Sequence, residues 1–109
     1  MMARRLGEDE TPAQFSDSES DLRRLQVDME RLEKEYQLFF ADQRQRPPNA
    51  LRLSVERLVR RLDLASMQSS SDRFRLETLQ HRFRTFTNLW DRGVRAREEG
   101  RPGPFSRST

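Results

Sequence analysis

Leu76, Leu79, Phe83, Phe86, Trp90 and Val94 step along the chain by three and four positions. That spacing places them on one side of a helix. An earlier seam, Leu22, Leu25, Met29, Leu32, Tyr36 and Phe39, keeps a heptad rhythm for almost three repeats. Between the two lies a shorter seam of Leu51, Val55, Leu58 and Leu62, with Val59 beside it. Leu53 and Leu64 fall on the opposite side of that segment. A helix with apolar residues on two sides is expected to be the middle one, touching two neighbours.

Local chemistry sets the boundaries. Ser18 followed by Asp21 fits the start of a first helix, and Pro47 disfavours helix at Arg46. The first helix is expected to span about 18–44. Pro48 suits the first turn of a second helix over about 48–64. Ser70 or Ser71, with Asp72 near the positive end, caps a third helix over about 71–97. Gly93 lowers helix stability by about 1 kcal/mol relative to Ala, so this helix stops there or frays on to Arg97. Residues 1–17 and the Gly/Pro/Ser-rich 98–109 have little that packs and are expected to be disordered tails.

Short connections favour antiparallel neighbours. The expected fold is all-α: an antiparallel helical hairpin or three-helix bundle over 18–97, with coiled-coil-like seams and disordered termini. At 1.5 Å per residue the second helix is roughly 22 Å long and the others roughly 37 Å. A short middle helix cannot cover two long ones. Leu22 and Leu25, or Trp90 and Val94, are therefore expected to overhang as a dimer surface, unless the long helices cover each other.

Composition supports helices. There are thirteen leucines, four valines and no isoleucine. With no cysteine, disulfides and thiol chemistry are excluded. The longest apolar run, Leu38–Ala41, is far too short to span a membrane. The N-terminal stretch lacks the apolar centre of a secretory signal, so the cytoplasm is the default location.

Several local features recur together: Tyr36-x-x-Phe39-Phe40, Pro47-Pro48, Val59-Arg60-Arg61-Leu62, Arg73-Phe74-Arg75 and Leu89-Trp90-Asp91-Arg92. Over about residues 30–97 the chain resembles a family of small helical domains of unknown function from myxobacteria and related bacteria, some fused to signalling modules. The resemblance implies a bacterial, intracellular helical domain. It supplies no activity and no functional residues.

Little in the chain suggests catalysis. The single histidine, His81, follows Glu77 by four residues, a spacing that usually marks solvated helix neighbours. No phosphate-binding glycine loop, nucleophile elbow or metal-ligand motif is present. No catalytic residue, cofactor, metal or small-molecule substrate is expected. Phe83, Phe86 and Trp90 read as core rather than as a ligand pocket. Phe74 falls off the stripe, either capping the bundle beneath Phe40 or facing a partner.

Charge is segregated. Residues 36–97 hold thirteen arginines against six acids, whereas residues 1–35 hold six basic residues against ten acids. Arg52, Arg57, Arg60 and Arg61, with Arg73, Arg75, Arg82 and Arg84, could form a basic face for phosphates. The competing account is internal, with acidic and basic helices pairing across seam edges.

Two functions follow. The first is a non-enzymatic interaction module that binds a protein partner or itself through an uncovered seam, with Leu22, Leu25, Met29 and Trp90 at the contact. The alternative is RNA or DNA binding through Arg57, Arg60, Arg61, Arg75 and Arg82.

Overall fold

In the computed structural model, backbone is described for residues 2–67 and 69–105, and side chains for 18–67 and 69–105. The chain is all-α, with α1 over Met2–Phe40, α2 over Asn49–Leu64 and α3 over Ser70–Glu98. The helices run up, down and up. No helix among the described residues is long and apolar enough to cross a membrane.

The helix termini are set by capping chemistry. At the end of α1, Asp42 N–H donates to Phe39 O (3.1 Å) and Gln43 N–H to Leu38 O (2.7 Å). Asp42 adopts the left-handed conformation, φ 63°. These are the two bonds of a Schellman motif, so α1 stops at Phe40, four residues before the expected end. Pro47 lies beyond this stop and does not cause it. At its other end α1 runs back to Met2, where the sequence suggested a start near Ser18.

Ser69, one residue before the expected cap, accepts a hydrogen bond from Asp72 N–H (3.1 Å) and starts α3. The far end of α3 closes on a second Schellman motif. Gly100 N–H donates to Arg97 O (3.2 Å) and Arg101 N–H to Ala96 O (2.8 Å), with Gly100 at φ 66°. Here glycine meets the left-handed requirement without steric strain. Gly93 therefore does not end the helix.

α1, not α2, is the central element. It packs closely against both α2 and α3, which meet each other only weakly. Leu25, Met29 and Leu32 on α1 are fully buried. Leu53 and Leu64 on the second side of α2 are 47% and 84% exposed. That side has no neighbour, because α3 docks on α1 instead.

The expected overhang is absent. Leu22, Leu25, Met29 and Trp90 all join one core with Leu58, Leu62, Leu76, Leu79 and Phe83. α1 and α3 cover each other, which removes the exposed seam that would have mediated dimerisation. Phe74 is 71% exposed and lies at the end of the bundle away from Phe40.

An aromatic column ties α3 to α1. Phe86 stacks on Trp90 (centroids 5.1 Å), Trp90 on Tyr36 (4.1 Å), Tyr36 on Phe40 (6.0 Å) and Phe40 on Phe105 (4.0 Å). The last contact revises the expected C-terminal tail. Residues 99–105 fold back as a strap, and Phe105 packs against the core. Gly93 makes this approach possible. A Cβ there would lie 2.6 Å from the Phe105 ring and 2.8 Å from that of Phe40.

Candidate anion-binding surface

The five arginines expected to bind anions do not share a surface. Arg61 reaches from α2 to Asp21 of α1 (3.1 Å). Arg82 reaches from α3 to Glu33 of α1 (2.7 Å) and lies over the Phe86 ring. Both are engaged in holding the helices together, as the internal account of the charge pattern anticipated. Arg57 shares the flank of Arg61, four residues away, and Arg75 shares that of Arg82, seven away. Only Arg60 lines the groove between α2 and α3.

That groove has a volume of about 500 Å³ and exists because α2 and α3 both pack on α1 rather than on each other. Val59 and Phe83 lie at its lining, with Arg60 on one wall and Arg84 on the other. Two polar clasps bridge it. Gln80 Nε2 donates to Asp63 Oδ1 (3.1 Å) at one end. At the other, Arg52 makes two parallel bonds to Asp91, at 2.7 and 3.1 Å.

Arg52 is structural. Its guanidinium also donates to Tyr36 Oη (3.1 Å) and pairs with Glu56 (3.4 Å). The bond from Arg52 holds the Asp91 carboxyl below its ordinary range, and the Asp91 bond in turn raises Arg52. Both charges are thereby committed to the clasp.

The groove continues onto the outer face of α3. Arg84 and Thr87 line both the groove and a second depression with Asn88, Asp91, Arg92 and Arg95. Arg84, Asn88, Arg92 and Arg95 follow steps of four, four and three, forming one stripe about 17 Å long. Among the described residues, Arg60, Arg84 and Arg92 make no ion pair within 4 Å. The one carboxylate on the stripe, Asp91, is already bonded to Arg52. The surface therefore presents the guanidinium groups of Arg84 and Arg92 beside the polar side chains of Thr87 and Asn88, while Arg60 shares its groove with Glu56 and Asp63.

Sequence reasoning placed Arg60 and Arg84 on a basic face but left Arg92 and Arg95 out. The signal was present in their spacing from Arg84.

Comparison of this chain with protein-family models, curated proteins and solved structures yields no match.

Proposed function

We propose that this chain is a cytoplasmic, non-enzymatic helical module that binds nucleic acid through its phosphate backbone. The contact surface is Arg60 of α2 with Arg84, Arg92 and Arg95 of α3. One observation carries the reading. Arg61 and Arg82 beside α1 are engaged in ion pairs, whereas Arg60, Arg84 and Arg92 on the α2–α3 surface are exposed and make none within 4 Å among the described residues.

The make-up of the stripe favours phosphate over a protein helix. Guanidinium groups, an amide and a hydroxyl are the usual donors to phosphate oxygens. Tight protein docking instead relies on apolar or aromatic anchors in a pocket. The seam first expected to supply such anchors lies inside the fold. The resemblance to myxobacterial helical domains adds a bacterial setting to this reading and no activity.

The test is fluorescence anisotropy of a labelled oligonucleotide across a salt series. Four phosphate contacts predict a slope of log K against log salt of about −3 to −4. Arg84→Glu with Arg92→Glu should abolish binding, while Arg57→Glu with Arg75→Glu should leave most of it. Equal losses from the two pairs would sink the assignment. Tighter binding of polyglutamate than of oligonucleotide at the same salt would replace nucleic acid with an acidic protein partner.

A further inference from the structure

The strap formed by residues 99–105 has a docked geometry that its sequence does not explain as a simple helix stop. Two close approaches hold it down. Phe105 lies over Gly93, where a Cβ would collide with its ring at 2.6 Å. Gly103 lies over Ala96, where an added Cβ would meet the alanine methyl at 2.6 Å. Phe105 also stacks on Phe40 with the rings 9° from parallel. Glycine at both positions and alanine at 96 let the strap lie flat against α3.

Docking places the strap at the end of the arginine stripe. Arg92 and Arg95 from α3 and Arg101 from the strap surround one depression of about 370 Å³, edged by Pro102 and Pro104. Arg101 is 58% exposed and pairs with Glu99 Oε1 through both its Nε (2.6 Å) and its Nη2 (2.5 Å). A guanidinium has five N–H donors, so others remain for a ligand. Arg95 also complements the negative end of the α3 dipole. That stabilising role needs neither Arg101 nor the strap, so it does not account for the three-arginine cluster.

We infer that the docked strap completes a phosphate-binding site made of Arg92, Arg95 and Arg101, with Phe105 as the anchor that holds Arg101 in place. The inference rests on the nucleic-acid reading and extends it. The ligand class is a phosphate diester of the same bound strand. Phe105 touches no ligand and is a positioning residue.

The experiment uses the full chain and labelled oligonucleotide at fixed salt, with circular dichroism confirming helix content. Arg101→Gln is expected to weaken binding three- to tenfold and to reduce the salt slope by about 1. Phe105→Ala should do the same, and the double variant should be no weaker than either single one. Gly103→Ala lifts the strap by a second route and should match Phe105→Ala. Unchanged affinity and slope in Phe105→Ala and Gly103→Ala overturn the inference.

Failure of the parent reading is separately visible. Arg60→Glu with Arg84→Glu leaves the strap intact and tests the stripe alone. If the wild-type chain binds no oligonucleotide, inorganic pyrophosphate followed by the Nε–Hε NMR signals of Arg92, Arg95 and Arg101 still reads the strap site. Shifts that vanish in Phe105→Ala support it. No shift in the wild type overturns it.

Discussion

The rings of Tyr36 and Trp90 lie 4.1 Å apart and 12° from parallel, joining α1 to α3 at the centre of the aromatic column. Both residues are almost fully buried, and Tyr36 Oη accepts a hydrogen bond from Arg52 of α2. One side chain thus contacts both neighbouring helices. Trp90→Ala should lower stability by about 3–5 kcal/mol in urea denaturation, through lost burial and the cavity left behind. A loss under about 1 kcal/mol would mean that α3 does not depend on this contact.

Leu25 is fully buried on α1. Leu25→Glu forces a carboxylate into the core, at a penalty comparable with the whole stability of a small domain. Loss of the helical circular dichroism signal is expected. A folded, helical monomer would instead return Leu25 to the role of a surface seam residue.

Gly93→Ala sets two effects against each other. Alanine raises helix propensity by about 1 kcal/mol. The new methyl collides with the rings of Phe105 and Phe40. Overpacking of this kind lowers stability by about 1–3 kcal/mol, so a lower melting temperature is expected. In a Phe105→Ala background the same substitution should be less damaging. Additive losses would show that the two residues do not meet.

Asp42 occupies a left-handed position that glycine fills more easily. Its carboxylate bonds Arg97 (2.7 Å), but it is 82% exposed, so that pair contributes at most about 1 kcal/mol. Arg97 keeps its bond to Phe39 O (2.8 Å) in any case. Asp42→Gly should therefore be neutral or stabilising by up to about 1 kcal/mol. Marked destabilisation would show that the ion pair outweighs the backbone strain.

The clasp between Arg52 and Asp91 predicts an acid dependence. Bonding to Arg52 lowers the Asp91 pKa from its ordinary value of 3.8. A group depressed on folding adds stability above its unfolded pKa and loses it as pH falls through the folded one. Wild type should exceed Asp91→Asn in stability at neutral pH, by under about 1 kcal/mol because the carboxylate is 58% exposed. The difference should shrink below about pH 4. A gap that persists in acid would assign the effect of Asp91 to shape rather than charge.

Hydrophobic periodicity by itself determined that this chain forms three helices and where their apolar seams lie, but not that Leu22, Leu25, Met29 and Trp90 belong to the core rather than to a contact surface. The helices and seams depend on neighbours three and four residues apart, which sequence displays directly. The start of α3 was legible to within a residue for the same reason, since Ser69 and Asp72 act locally. The end of α1 was not, because the rule for proline pointed to an end near Arg44 while a left-handed Asp42 stopped the helix at Phe40.

Tertiary structure alone decided which helix is central, which arginines are paired and which are left to solvent. Arg61 and Asp21 are forty residues apart, and Arg82 and Glu33 forty-nine. No local pattern states that they meet. The strap shows the same limit. Gly93, Gly103 and Phe105 read singly as a helix breaker and tail residues, and only their approach across the fold turns them into one docked surface. Seams are encoded by spacing along the chain, whereas the choice of partner for each flank depends on how three helices share one core.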